Sequence, residues 1–383
     1  MKFLFTTSFY PPFHVGGACT HVKYLAESLA AKGHEVHVLY SIDAYNFKRK
    51  EKRKPEPEGR VILHELRSPL GKLEPVLNFA LGSMNHTYRA FSDLVDRENF
   101  DVVHHHNISL LGYDLLKKRG SYKNIYTAHD FWLICHKYNY TVDGEVCDGE
   151  RNCFICATCH RFPYQFFRKS RDFQSALKDI DLIITPSRFM AGILENTLKH
   201  KIITIPNLVP SFGIRPKKKE REYFLYVGQL ERHKGILQLM EIFKGSNERL
   251  LIVGAGELED RIRAECRENI RLLGWKGRKE LAELYAGAKA LIVPSLWAEN
   301  FPTVAIEAMQ FGTPTITTDI GGTREIVSLV DSSLVFPSDD FGRLKEIIKS
   351  FDTAKYKPKK LRNIYDANFS PDKYIERYLE ALI

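Results

Sequence analysis

The chain has 383 residues, 44% hydrophobic and 27% charged, with a formal net charge of +9 at pH 7. Its length exceeds one ordinary hydrophobic core, so two domains are expected, and its composition is that of a globular chain. No apolar run approaches the roughly 18 residues of a membrane-spanning helix, and the opening MKFLFTTSFYPPF lacks the features of a signal peptide. An integral helical membrane protein is thereby excluded, a cytoplasmic location is expected, and the positive charge favours an anionic partner.

In chain order, KFLFTTSF (2–9) reads as a buried strand and HVKYLAESLAAKG as a helix ending on Gly33. Strand-like runs follow at 35–41, 61–66, 101–106, 124–130, 181–187 and 202–207, with helical patterns between most of them. A second series occupies 223–228, 249–254, 270–275, 290–295, 313–319 and 333–338. Continuous apolar strands alternating with helices predict α/β architecture, with parallel sheets covered on both faces. The Pro- and Lys-rich stretch PNLVPSFGIRPKKKERE separates the two series and marks a linker near residue 210. Two doubly wound domains would face each other across a cleft, with ligands beyond the carboxyl ends of the strands.

The strand at 290–295 leads into ENFPTVAIEAM, residues 299–309. Pro302 suits the first turn of a helix, where a missing N–H is not needed, and TVAIEAMQFG then runs helically to Gly312. Glu299 therefore belongs to the strand–helix loop and Glu307 to the helix. Free N–H groups at the helix start attract an anion, and carboxylates accept hydrogen bonds from sugar hydroxyls. Carboxylates flanking a phosphate-binding helix start match a nucleotide sugar, whose diphosphate lies between a sugar and a ribose.

This segment resembles the E-x7-E motif of glycosyltransferase family 4, a retaining family with the GT-B fold. Further pieces match in the family's order: PPFHVGGACTHV (11–22), DVVHHHN (101–107), TAHDFW (127–132), TPSRFMAGIL, IPNLVP, VGQLERHKG (227–235), LLIVGAGELED (250–260) and RLLGW (271–275). The resemblance implies two Rossmann-like domains, an acceptor-side one over 1–209 and a nucleotide-sugar-binding one over 210–367, with a final helix (368–383) packed back on the first. It implies transfer of a sugar from a nucleotide-diphosphate sugar to a glycan, lipid-linked or small-molecule acceptor, without a cofactor in catalysis. By position, Glu307 would hold the ribose and Glu299 the sugar hydroxyls, while Asn300, Phe301, Pro302 and Thr303 would meet sugar and phosphate. Lys234 would neutralise the diphosphate, Gly16 and Gly17 would let the backbone approach it, and Trp275 would lie near the base. His106 would stand beside the reacting carbon, so His106, Lys234 and Glu299 form the expected catalytic set. Where the family usually has Arg, this chain has Gln229 in the donor site, which shifts charge stabilisation to Lys234, with Arg232 and His233 nearby. Two rival readings stay open: a hydrolysing nucleotide-sugar epimerase on the same fold, and a non-catalytic binding protein. No nucleic-acid fold motif is present, so nucleic acid is not an expected partner.

Of the seven cysteines, Cys135, Cys147, Cys153, Cys156 and Cys159 cluster, and His160 follows directly. Overlapping C-x2-C pairs let two thiolates meet one ion. The insert, about 131–165, has too few apolar residues for a core of its own. A structural zinc held by four of these six residues is expected, with disulfides or an iron–sulfur cluster as alternatives. The insert would overhang the acceptor side of the cleft. The basic runs KRKEKRK (48–54) and RPKKKER (215–221) read as solvated loops. The first would also suit reversible contact with an anionic membrane, at about 1 kcal/mol per cation. The D-x-D string Asp179-Ile180-Asp181 precedes a strand, at the wrong end for a ligand.

Overall fold

The computed structural model describes residues 1–13, 16–49, 59–142, 145–214, 216 and 220–383. The first half contains β1 (Lys2–Thr7), β2 (Glu35–Ser41), β3 (Ile62–Leu66), β4 (Val102–His105), β5 (Lys123–Thr127), β6 (Thr141–Val142), β7 (Glu145–Val146), β8 (Leu182–Thr185) and β9 (Ile202–Thr204). All but β6 and β7 form one parallel sheet in the order β3-β2-β1-β4-β5-β8-β9. The exceptions pair as a short antiparallel hairpin inside the insert. The second half contains β10 (Tyr223–Val227), β11 (Arg249–Val253), β12 (Ile270–Leu272), β13 (Ala288–Val293), β14 (Thr315–Thr318) and β15 (Val335–Phe336). These form a second parallel sheet, ordered β12-β11-β10-β13-β14-β15. Every strand of both sheets overlaps a segment expected from the apolar runs, with β5 starting one residue and β13 two residues earlier than expected.

Each sheet is buried on both faces, which is why its strands read as unbroken apolar runs. Phe3 and Phe5 point into one core cluster and Leu4 into another. In the second sheet, Phe224 and Tyr226 face one cluster and Leu225 the other. Strand order reverses at β1/β4 and at β10/β13, so each sheet opens a crevice at its carboxyl end.

Several contacts tie the halves together. The last helix, Pro371–Glu380, packs on the helix Gly17–Ala31, and its Tyr374, Ile375 and Tyr378 join the first half's core. Burial of such side chains is worth about 1.5–3 kcal/mol each. Glu325 accepts hydrogen bonds from the backbone N–H groups of Arg188 and Phe189 at 2.9 and 2.8 Å, and so caps a first-half helix from the second half. Asn300 Nδ2 donates to the His129 carbonyl at 3.0 Å.

No described helix is long and apolar enough to cross a membrane. Residues 50–54 of the first basic run lie outside the described residues, as do 215 and 217–219 of the second. Arg221, which ends the second run, is no solvated cation: it is half-buried and donates to the carbonyls of Gly312 and Tyr356. The D-x-D carboxylates are structural. Asp181 Oδ2 accepts from the Asn124 N–H at 2.8 Å, and Asp179 Oδ2 from the Lys118 N–H at 3.2 Å.

Candidate active site

A cavity of about 1090 Å³ lies between the two sheets. Its walls come from the strand ends that the crevice rule selects. The first half supplies Gly16, Gly17, His21, Asn107, His129 and Asp130; the second supplies Glu231, His233, Arg278, Glu299, Thr303 and Glu307. A Cβ built on Gly16 or Gly17 meets nothing within 4 Å, so this backbone faces open space.

The loop after β13 carries Glu299. Its Oε1 accepts from Lys234 Nζ at 2.5 Å, Ser295 Oγ at 2.8 Å and Trp297 Nε1 at 3.0 Å. Burial pushes the Glu299 carboxyl upward, but Lys234 and the Trp297 and Ser295 donors outweigh it and hold the group below the usual range. Lys234 Nζ also lies 5.0 Å from the centre of the Trp297 ring. The helix Thr303–Gln310 begins one residue after Pro302, which sits at the N-cap rather than in the first turn. Glu307, on that helix, accepts from Tyr285 Oη at 2.9 Å and Thr303 Oγ1 at 3.4 Å. Burial raises the Glu307 carboxyl above its ordinary value, partly offset by those two donors and by Arg278. One motif therefore holds two carboxylates biased in opposite directions.

Glycine fixes the lysine turn. Gly235 has φ +70°, and a Cβ there would come within 1.9 Å of the Pro294 carbonyl oxygen at the end of β13. The turn thus lies directly on the strand that feeds Glu299, and His233 O accepts from the Leu296 N–H at 2.9 Å. Gly235→Ala is expected to destabilise the protein by about 3 kcal/mol, from left-handed strain plus overpacking. Urea unfolding measures this, and an unchanged midpoint would refute the close approach.

Histidines line the opposite wall. His106 Nδ1 lies 3.0 Å from His129 Nε2, and their rings stack at 5.3 Å. His21 packs edge-on to His129 at 5.1 Å. Burial lowers all three from the ordinary imidazole range, His129 to about 4, so they are neutral at pH 7. Their ring nitrogens lie within 4.8 Å of one another. His104 and His105 serve packing: His104 meets Tyr378 Oη at 2.9 Å and Thr127 Oγ1 at 2.7 Å, and His105 meets Thr6 Oγ1 at 2.7 Å.

Several expected residues stand elsewhere. His106 is fully buried beneath His21 and His129 and does not line the cavity. Its N–H still bonds to Thr6 O, so its ring remains in the sheet layer, against Phe5. Lys234 reaches the wall only through Glu299, and Pro302 lies behind Phe301 and Thr303. Gln229 is exposed outside the cavity, and Trp275, 77% exposed, lies outside it too. Among the described residues, no three of Cys135, Cys147, Cys153, Cys156, Cys159 and His160 bring ligand atoms within 4.8 Å of one another. Cys153 and Cys159 are both exposed; Cys159 and His160 do not line the cavity that the other four thiols share, and His160 faces the interdomain cavity instead. Nothing in the sequence alone marks His21, His129, Ser295, Trp297, Tyr285 or Arg278 individually as site residues. His21 and His129 lay inside quoted motifs (GGACTHV and TAHDFW), and that was their only signal.

Two parallel α/β sheets enclosing a polar cleft at their carboxyl ends define the GT-B class of glycosyltransferases. The family model described as Glycosyltransferase Family 4 matches residues 15–211, and that described as Glycosyl transferases group 1 matches residues 211–380. The chain belongs to glycosyltransferase family 4 and is a glycosyltransferase. An uncharacterised glycosyltransferase of Methanocaldococcus jannaschii is 27% identical over 91% of this chain and 87% of its own length. Among solved structures, sucrose-phosphate synthase from Thermosynechococcus elongatus matches with a TM-score of 0.71 at 20% identity, over 100% of both chains. Anabaena Alr3699/HepE, solved in complex with UDP and glucose, matches with a TM-score of 0.63 at 15% identity, over 100% of this chain and 99% of that one.

Proposed function

We propose that the protein is a retaining transferase that takes a sugar from a nucleotide-diphosphate sugar and passes it to a hydroxyl-bearing acceptor held by the first half of the chain. The observation that carries this reading is the pairing of Glu299 with Lys234 next to the start of the helix that bears Glu307, with both glutamates lining the cavity and Lys234 reaching it through Glu299. The diphosphate would lie between the carboxylates, against the free N–H groups of the helix start and Lys234. Glu307, with its Tyr285 and Thr303 neighbours, would take the ribose hydroxyls; Glu299 would take hydroxyls of the transferred sugar. The UDP and glucose held by the Anabaena neighbour are ligands of that chemistry.

In the step itself, the bond from the anomeric carbon to the diphosphate oxygen breaks and a bond to the acceptor oxygen forms on the same face. The acceptor proton passes to the departing phosphate. Neither glutamate would serve as a nucleophile: Glu299 is engaged by Lys234, Ser295 and Trp297, and Glu307, bonded to Tyr285, would hold the ribose. His129 would touch the donor sugar as a neutral imidazole, with His106 positioning it through the bond to Nε2. Sugar and lipid-linked hydroxyls both fit the open first-half wall.

A thermal-shift screen with UDP-, GDP-, ADP- and CDP-sugars tests the donor class, because a ligand of the native state alone raises stability with the logarithm of its concentration over Kd. Calorimetry then divides the carboxylates. Glu307→Ala is expected to weaken binding of free nucleoside diphosphate about tenfold or more, the scale of a lost charged hydrogen-bond pair. Glu299→Ala is expected to spare the free nucleotide and weaken only the nucleotide sugar. Equal losses in both variants would overturn the division, and no shift with any nucleotide sugar would overturn the donor reading.

A further inference from the structure

We propose that Cys135, Cys147, Cys153 and Cys156 bind one zinc ion, and that this site fixes the part of the insert that forms the acceptor-side wall of the cleft. The four thiols line a single cavity of about 560 Å³ between the insert and the helix Arg188–Thr197, with no three of them yet within 4.8 Å of one another. They come from separate pieces of backbone: Cys135 from the loop after β5, Cys147 from the residue after β7, and Cys153 and Cys156 from one turn of the helix Cys153–Cys159. Spacing of three places the last two on the same helix face. Cys159 and His160, the remaining sequence candidates, lie outside this cavity. No disulfide joins any of the cysteines.

Zinc with four thiolates carries about two net negative charges, since each thiol gives up its proton on binding. Lys137 and Arg151 line the cavity together with the carboxylates Asp148 and Glu150, so the lining itself is balanced in charge, and the buried Arg168, outside the lining, donates to the carbonyls of Leu133 and Cys135 at 3.2 and 3.4 Å.

The insert's backbone needs such a tie. Tyr138, Tyr140 and Arg161 adopt left-handed φ values of +67°, +51° and +56°. Strain of this kind costs on the order of 1–3 kcal/mol per residue and persists only where the surroundings enforce it. Tyr138 and Tyr140 pack against the first-half core beside Phe131, but beyond them the apolar support is thin: strands β6 and β7 have two residues each, and Phe154 and Ile155 are more than half exposed. Yet Lys137, Tyr138, Asn139, His160 and Phe162 line the interdomain cavity. The thiols therefore lie behind the wall that faces the cleft. Drawing them onto one ion would close the cavity and fix the strained tyrosines.

The role of that wall rests on the proposed transferase reading; the metal site does not, and metal content is measured independently of turnover. The test is elemental analysis of the full chain, purified without a metal-affinity tag. About one zinc per chain is expected. Cys135→Ser, Cys147→Ser, Cys153→Ser and Cys156→Ser should each lower it severalfold, while Cys159→Ser and His160→Ala should leave it unchanged. If serine variants fail to fold, the unaltered chain exchanged with cobalt is expected to show intense thiolate-to-cobalt absorption and the visible bands of a tetrahedral thiolate site. Zinc loss should raise the acceptor KM and leave the nucleotide Kd unchanged. Metal-free protein overturns the site, whether all seven thiols titrate in denaturant or pairs are oxidised. Iron with visible absorbance overturns zinc, and zinc loss from Cys159→Ser or His160→Ala overturns the ligand set.

Discussion

Lys234→Ala is expected to lower kcat by about 10²- to 10³-fold, the loss that follows removal of one preorganised group facing a developing negative charge. The neighbouring groups offer no substitute cation. Gln229 is uncharged and exposed, and Arg232 is exposed. His233 is held below the ordinary imidazole range by burial and by Lys234 itself, so it is neutral at pH 7. Lys234 is preorganised by the Gly235 turn and by Glu299, with 17% of its side chain exposed.

The same substitution also leaves Glu299 without its cation, and a buried charge stripped of its partner costs on the order of 3 kcal/mol. The two effects separate in the double variant. Lys234→Ala with Glu299→Gln is expected to recover much of the stability in urea, because the uncompensated charge is gone, but not the turnover. Steady-state nucleotide release and urea unfolding on the single and double variants give both quantities. Unchanged turnover in Lys234→Ala would remove the lysine from the leaving-group role.

The second large effect is on stability against pH. His21, His104, His105 and His106 are buried and His129 is half-buried beside His21 and His106, and desolvation lowers each of them, His129 to about 4 and His105 to about 3. Unfolded, each would titrate near 6.5. Below that pH the unfolded chain takes up protons that the folded chain does not. The stabilisation is therefore fully present above about pH 6.5 and is lost as pH falls toward the folded values. For His129 alone the change reaches about 3 kcal/mol between pH 6.5 and 4.

Asp130 opposes this. Burial raises its carboxyl to about 6, partly offset by the Trp132 N–H and Arg168, so its contribution is largest at low pH and is lost as pH rises from about 4 to 6. One carboxyl offsets about one histidine. Against a typical total of about 5–15 kcal/mol, the remaining histidines are expected to bring the chain close to unfolding near pH 5. Urea unfolding at intervals from pH 8 to pH 5 gives the slope, which equals the difference in bound protons. A slope corresponding to less than about one proton near pH 5.5 would contradict burial of this cluster in neutral form.

Much of the fold was legible because its signals are local. A strand buried on both faces must be apolar throughout, so each strand of both sheets announced itself as a run. The E-x7-E stretch likewise showed a loop carboxylate and a helix carboxylate flanking a helix start, and GQLERHKG showed a lysine on a glycine turn. What local signals could not fix was which side chains meet. His106 looked exposed to the cleft because it ends a strand, but the sheet continues through its N–H and leaves His129 and His21 in front of it. The donors that bias Glu299, and the Tyr285 hydroxyl on Glu307, come from neighbouring loops and an adjacent helix.

The insert divides in the same way. The sequence by itself determined that cysteines cluster after TAHDFW, because spacing along the chain is all that the pattern requires. Only the tertiary structure put Cys135, Cys147, Cys153 and Cys156 around one cavity and left Cys159 and His160 outside it. Likewise, the sequence marked Asn300 as part of a donor loop, and only the packing of the two sheets brought its amide to the His129 carbonyl, 171 residues away. Contacts at such separation are set by strand order, by the helices that cover each sheet and by the C-terminal helix that returns to the first half, and none of these has a signature in a short window of sequence.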